Sequence, residues 1–246
     1  MDEVRAPYHA DPVTRRVVLV GGHESGYGQA LGGLEPEAVA PGRELSAVLA
    51  APAPVAVVPM TLGRDPDLLR DAAQTLAWAR RGRRGGELLL TEPLSEVNHL
   101  VSLLLAAARG NAAKGRAALL VAPAASPEAD AELFRVARLV RDGADLVEVA
   151  LLGGDPDLAE GVERCLRLGA ESVAVLPAAF VRPPLPADPR IVDGGPLLGP
   201  AAMVRLVRER VTTAEERFSR YDEDGITAVL AARDHHHHEG ADHHGA

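Results

Sequence analysis

The amino-acid sequence predicts an α/β protein built from two related halves, each a parallel sheet flanked by helices, with a cleft between them. Three observations favour this class. Short β-branched or leucine-rich runs alternate with longer amphipathic stretches. Several of the short runs are apolar on both faces, which is typical of strands in a buried parallel sheet. One order of strand, Pro-Leu pair and helix also occurs twice along the chain, which indicates an internal repeat.

The strands are predicted from their apolar runs, and the segment between the first two is less regular. Seven runs qualify as strands: 17–20, 55–58, 87–90, 118–121, 146–152, 172–176 and, more weakly, 190–192. Residues 26–54 are rich in Gly, Pro and Ala. We expect this segment to be a loop with short helical pieces.

Three helices are predicted from their start signals. Asp65-Pro66, Ser126-Pro127 and Asp155-Pro156 each place a capping residue before a proline, at the helical position where the missing N–H costs nothing. The first of these helices is expected to run to about Arg80 and to stop at Gly82.

The repeat divides the chain near residues 114–116. We expect an N-terminal half over 1–114 that carries the functional site, a C-terminal half over 115–222, and a flexible, histidine-rich tail over 223–246. The length of 246 residues is ample for a hydrophobic core in this arrangement.

Composition excludes several classes of function. A formal net charge of -9, with one basic cluster at 80–84 that lacks aromatic neighbours, argues against a nucleic-acid partner. The single cysteine, Cys165, excludes an intramolecular disulfide and cysteine-based zinc or iron–sulfur sites. The chain shows neither a signal-peptide pattern nor an apolar run of transmembrane length, so we expect no membrane partner and a cytoplasmic location.

The first predicted strand is followed by a loop whose residue types suit metal chemistry. This loop reads Gly21-Gly22-His23-Glu24-Ser25-Gly26. Ligands of open parallel sheets bind outside the carboxyl ends of the strands, where this loop lies. His23 offers a nitrogen ligand, Glu24 offers a carboxylate for a divalent ion, and either side chain can accept a proton. The alternative is a glycine-rich turn with an exposed histidine.

Charged residues also follow the next two strands. Arg64 is a candidate for binding a substrate carboxylate through a bidentate pair. Asp65 either faces a metal ion or caps the following helix, and capping is the favoured interpretation. Both roles can coexist only if different carboxylate oxygens serve them. Glu92 is a second candidate carboxylate or a polar loop residue, and a lone helical His99 is more typical of a structural residue.

The C-terminus concentrates six of the nine histidines: His235, His236, His237, His238, His243 and His244. Such a tract binds transition-metal ions through imidazole. An expression tag is the alternative. The interruption by Glu-Gly-Ala-Asp and the trailing Gly-Ala favour a native metal-collecting tail.

The order of several motifs resembles the CbiX/SirB-type class II chelatases, which insert cobalt or iron into sirohydrochlorin. Residues 19–25 are similar to that family's strand ending in Gly-His-Gly-Ser, and 57–63 are similar to its later strand ending in Pro and a Gly-x-His turn. In the second half, the likeness continues in order through 118–122, 126–127, 131–134, 147–150, 161–165, 168–170 and 173–177. It covers roughly 15–212, excluding much of 26–54.

The resemblance implies both an activity and the residues that perform it. The position of the family's first metal-binding histidine is occupied here by His23. The position of its second metal-binding histidine is occupied by Asp65. The implied substrate is a tetrapyrrole in the cleft, with its carboxylates near basic groups such as Arg64. Gly22 and Ser25 are the other implied substrate-binding residues. The implied metal ligands are His23, Glu24 and Asp65, and His23 or Glu24 accepts the pyrrole protons.

The resemblance also implies a lyase-class chelatase of cobalamin biosynthesis with no tightly bound cofactor. The divalent metal is its substrate, Co²⁺ first, with Ni²⁺ or Fe²⁺ as alternatives. A cobalt or nickel chaperone or storage protein of the same fold is the second hypothesis. A phosphate-binding enzyme is disfavoured because no Gly-x-Gly-x-x-Gly or P-loop motif follows the first strand. Whether the chain forms a homo-oligomer is left open by the sequence.

Overall fold

Two four-stranded parallel sheets form the framework of the protein, with strand orders β2-β1-β3-β4 and β6-β5-β7-β8. The computed structural model describes residues 15–81, 83 and 87–236, with side chains described as far as residue 232. The strands are β1 Arg16–Gly21, β2 Ala38–Val39, β3 Val55–Met60, β4 Leu88–Leu90, β5 Arg116–Pro123, β6 Val147–Leu152, β7 Ser172–Pro177 and β8 Ile191–Asp193. The helices are α1 Arg43–Leu49, α2 Pro66–Ala79, α3 Val97–Gly110, α4 Pro127–Val140, α5 Leu158–Arg167, α6 Pro200–Tyr221 and α7 Ile226–His236.

The two sheets have the same topology, which confirms the predicted fold class and the repeat. β1 occupies the same place in the first sheet as β5 in the second, with a parallel neighbour on each side. All seven predicted strands are present. Their runs are apolar on both faces because helices cover both sides of each sheet: every residue of β3 is buried, for example.

Helix starts follow the predicted caps in two cases out of three. The Asp65 carboxylate accepts a hydrogen bond from the amide of Leu68 at the start of α2, and the Ser126 hydroxyl accepts one from Ala129 at the start of α4. The third prediction is wrong by two residues. α5 is capped by Asp157 and not by Asp155, because Asp157 forms a reciprocal capping box with Glu160.

The irregular segment 26–54 contains a strand that the sequence did not predict. It holds a short 3-10 helix, Gln29–Leu31, the two-residue strand β2 and the helix α1. β2 pairs with β1 through Leu19 and Val20. A strand of two residues has no apolar run long enough to be recognised.

The two halves exchange helices, so the predicted boundary at 114/115 separates the strands but not the packing units. Leu100 and Leu104 of α3 belong to the core that surrounds Leu120 of the second sheet. Val207 of α6 belongs to the core that contains Leu19 of the first sheet. Each half therefore covers one face of its sheet with a helix from the other.

The predicted flexible tail over 223–246 is wrong for its first part. Residues 226–236 form α7, which packs against α2, and Ile226 is completely buried. The segment is fixed to the edge strand β4, since the amide of Leu90 donates to the carbonyl oxygen of Asp224 at 2.9 Å. A side chain at Gly225 (φ +77°) would overlap the Leu90 carbonyl oxygen, which requires glycine at this turn.

Part of the histidine tract lies outside the described residues, namely His237, His238, His243 and His244. His235 and His236 lie in the last turn of α7, of which only the backbone is described. Among the described residues, no helix has the length and apolar character needed to cross a membrane.

Candidate functional site

The loop after β1 forms a single 3-10 turn, His23–Ser25, at the carboxyl end of the strand. Ser25 organises this loop: its buried hydroxyl donates to the carbonyl oxygen of Gly22 at 3.0 Å and accepts from the amide of Gly28 at 3.0 Å. These bonds give Ser25, a predicted substrate contact, a structural role within the loop.

His23 and Asp65, which are 42 residues apart in the chain, form a close pair. The imidazole Nδ1 lies 3.0 Å from the Asp65 Oδ2 atom, which also accepts the backbone amide of His23 at 3.2 Å. The other carboxylate oxygen, Oδ1, caps α2 at 3.2 Å from the Leu68 amide. Different oxygens of Asp65 therefore serve the helix and the imidazole.

Charge and hydrogen bonding keep Asp65 ionised. Burial raises the pKa of this carboxyl, but the hydrogen bonds from His23 and Leu68 and the nearby His23 charge outweigh burial and hold the pKa below its ordinary value. An ionised carboxylate on Nδ1 selects the tautomer with the proton on that nitrogen.

The other imidazole nitrogen of His23, Nε2, is consequently the one left for a ligand or a proton. In the neutral imidazole, Nε2 then carries the lone pair. This atom is buried and has no hydrogen-bond partner among the described residues. A carboxylate behind one nitrogen and a lone pair on the other is the arrangement of a metal-binding histidine or of a general base.

Gly22 is the residue that lets Asp65 approach His23. A Cβ atom at Gly22 would overlap the Asp65 Oδ2 atom, the same oxygen that holds His23. We expect Gly22→Ala to displace the carboxylate and to shift the His23 Nε2 resonance in a nitrogen-detected NMR spectrum, because Nδ1 loses its partner. Gly199→Ala is the matched control, since a Cβ atom there meets no atom within 4 Å. An unchanged His23 resonance in Gly22→Ala would contradict this steric role.

Glu24 places a second carboxylate beside the imidazole. It is fully buried, and its Oε2 atom accepts hydrogen bonds from the Thr61 hydroxyl and from the Leu62 amide at 3.0 Å. Burial raises the pKa of Glu24, and this effect exceeds the opposing influence of Thr61, Leu62 and the charges of Arg64 and His23. The Oε1 atom has no partner among the described residues, so it is available to a proton or an ion.

Arg64 lies in the interior, at the contact between the two halves. Its Nε and Nη2 atoms both donate to the carbonyl oxygen of Ala129 in α4, at 3.2 and 3.1 Å, and Nη2 lies 3.5 Å from the Asp130 carboxylate. Burial lowers the pKa of this guanidinium, although the nearby charges of Glu24 and Asp130 oppose the shift. A buried guanidinium bound to α4 braces the two halves. Its Nη1 atom is buried and has no partner among the described residues, so the binding of a substrate carboxylate by Arg64 stays a prediction.

The loop after β1 also contacts the second half, where the carbonyl oxygen of Glu24 accepts the amides of Phe180 (3.0 Å) and Val181 (3.3 Å). The predicted site residues therefore meet at the junction of the two sheets.

Access to His23 is narrow. Only 15% of its side chain is exposed, so a planar tetrapyrrole reaches Nε2 only if the two halves move apart there. Among the described residues, no group of three or more His, Cys, Asp or Glu side chains is arranged to hold a metal ion.

Two residues of this network were not identified from the sequence. Thr61 donates to Glu24 and accepts the amide of Gly63, and it thereby organises the loop that carries Arg64 and Asp65. Its position directly after β3 was the available signal. Asp130, the partner of Arg64, lies in a helix of the other half, and nothing local marks it.

Comparisons with known proteins give limited information. No protein-family model matches the chain, and no curated protein is found as a relative. Similar solved structures include two proteins of chelatase-like description. The sirohydrochlorin chelatase SirB from Bacillus subtilis subspecies spizizenii, in complex with cobalt, is 16% identical over 83% of this chain and 99% of its own, with a TM-score of 0.45.

The second is a multi-domain protein from Deinococcus radiodurans, whose structure is described as similar to chelatases with two additional domains. It is 19% identical over 89% of this chain and 54% of its own, with a TM-score of 0.38.

Proposed function

We propose that the protein is a metal chelatase that inserts a divalent ion into a tetrapyrrole, with sirohydrochlorin and Co²⁺ as the first candidates and cobalamin biosynthesis as the pathway. The observation that carries the proposal is the imidazole of His23 with Asp65 behind it, whose Nε2 atom has no partner in the described part of the chain and lies at the junction of two parallel sheets. The resemblance of the motif order to class II chelatases supports the choice of substrate.

The geometry divides the work among three residues. His23 binds the incoming ion through Nε2, and Asp65 orients the imidazole from behind. Insertion releases two pyrrole protons, and the free Oε1 atom of Glu24 is the acceptor nearest in sequence to His23. Because burial raises the pKa of Glu24, its carboxylate is a stronger base than an exposed glutamate. The single imidazole of His23 occupies one coordination position of a divalent ion, which leaves the others for the macrocycle nitrogens.

A second candidate is a non-catalytic carrier or store of cobalt or nickel. The enclosure of His23 favours it, because an ion needs far less space than a macrocycle and the junction is closed by Arg64 and by the amides of Phe180 and Val181. In this case His23 binds the ion and no insertion follows.

The two candidates are separated by one assay. Purified protein is mixed with sirohydrochlorin and Co²⁺, and formation of the cobalt complex is followed by its absorbance. We expect insertion clearly faster than in the absence of protein. Tight Co²⁺ binding with no acceleration would support the carrier, and neither binding nor acceleration would contradict both candidates. The metal-collecting tail and the cytoplasmic location stay predictions from the sequence.

A further inference from the structure

A cavity of about 690 Å³ opens at the carboxyl end of β4, between α2, α6 and α7. Its walls include the first residue of α2, Pro66, and the residues that directly follow β4, Thr91 and Glu92. This is the edge at which parallel sheets bind their ligands, and the volume lies in the range of small-molecule sites. Neither His23 nor Glu24 lines it, so it is distinct from the site proposed above.

Most of the lining surface is apolar. The apolar side chains come from all four walls: Leu69, Leu90, Ala214, Val229 and Ala232. Ala214 is one of only two buried residues of α6, and it faces inward where a larger side chain would fill the space. Such walls favour a ligand with an apolar body.

Two guanidinium groups converge on one carboxylate in this cavity. The Arg217 Nη1 atom lies 2.6 Å from Glu92 Oε1, and the Arg210 Nη1 atom lies 3.7 Å from Glu92 Oε2. Arg210 is also held in place, since its Nε atom donates to the carbonyl oxygen of Pro93 at 2.8 Å. The three side chains together carry one excess positive charge.

The other charged groups that face the cavity do not remove this excess. Arg70, which is paired with Asp67 at 2.5 Å on α2, and Glu223 carry opposite charges, so the charged side chains that line the cavity keep one excess positive charge. The Nε and Nη2 atoms of Arg217 have no partner among the described residues, which leaves a fork for an incoming oxyanion.

We propose that this cavity binds an amphiphilic monocarboxylate, with its apolar body between α2, α6 and α7 and its carboxylate on Arg217 and Arg210. A planar guanidinium matches a carboxylate in two-point geometry, and the charge of the Arg210–Glu92–Arg217 group is balanced by one ligand anion. This proposal does not depend on the chelatase activity.

The test uses sodium decanoate as the probe, with decanol as the uncharged equivalent, in isothermal titration calorimetry on the full chain. We expect decanoate to bind at least about tenfold more tightly than decanol, because a charge-assisted hydrogen bond contributes about that factor. Arg217→Gln should weaken decanoate binding by about tenfold and leave decanol binding unchanged. Ala214→Phe should weaken the binding of both, because its ring occupies part of the apolar cavity.

Two controls keep the result interpretable. Arg135→Gln removes an exposed arginine that is paired with Glu132 on α4, far from the cavity in the fold, and should change nothing. His23→Ala should leave decanoate binding intact, which separates this proposal from the metal site. Absence of decanoate binding in the unmodified chain, equal binding of decanol, or unchanged affinity in Arg217→Gln would each overturn the proposal.

Discussion

His23→Ala is expected to abolish Co²⁺ binding at the junction of the two halves and, with it, any metal insertion. The imidazole Nε2 atom is the one strong nitrogen donor of the proposed site, and Glu24 alone is a weak site for a borderline ion. The measurement is equilibrium dialysis with Co²⁺ in a chain whose six tail histidines are replaced by alanine, so that only the internal site is counted. Retained binding of one Co²⁺ per chain in His23→Ala would remove the proposed site.

Asp65→Asn tests the orientation of the imidazole separately from its presence. Asparagine still caps α2, so the fold is expected to persist. Its amide group facing Nδ1 donates a hydrogen bond where the carboxylate accepted one, which moves the imidazole proton to Nε2 and blocks the metal-binding atom. We expect Co²⁺ affinity to fall by about 10- to 100-fold, the usual effect of losing such a partner. His99→Ala, on the exposed face of α3, is the matched control and should leave affinity unchanged.

Arg64→Ala is expected to give the largest loss of stability of any substitution at the junction. It removes a buried side chain that joins the loop after β3 to the Ala129 carbonyl oxygen and to Asp130 of the other half. Removing one member of such a buried group costs about 3 kcal/mol in the free energy of unfolding. Urea denaturation followed by circular dichroism measures this loss.

Arg64→Met separates packing from hydrogen bonding at the same position. Methionine keeps most of the side-chain volume, so we expect the free energy of unfolding to fall less than in Arg64→Ala. Arg135→Ala, which breaks an exposed pair on α4, should have little effect. Equal stability of Arg64→Ala and the unmodified chain would show that Arg64 does not brace the halves.

The loop after β1 was identified from local sequence because its signals are local. An apolar strand, flanking glycines and a His-Glu pair predict a loop at the carboxyl edge of a parallel sheet. The capping role of Asp65 was predictable for the same reason, since an Asp-Pro pair before an amphipathic run marks a helix start. The alternation of apolar runs likewise predicted seven of the eight strands.

The contact of Arg64 with α4 could not be predicted from local sequence. An arginine at the end of a strand looks the same in the sequence whether its guanidinium faces a ligand or the backbone of another element. Its actual partner, the carbonyl oxygen of Ala129, is 65 residues away, and any residue type can offer a carbonyl oxygen.

The sequence alone determined the fold class, the positions of seven of the eight strands and the position of the His23 loop, because periodicity, capping and turn residues act over a few neighbouring positions. Tertiary structure decided the pairing of His23 with Asp65, the interior position of Arg64 and the exchange of α3 and α6 between the halves. These features depend on contacts between segments far apart in the chain, where the geometry of packing selects among partners that local sequence cannot distinguish.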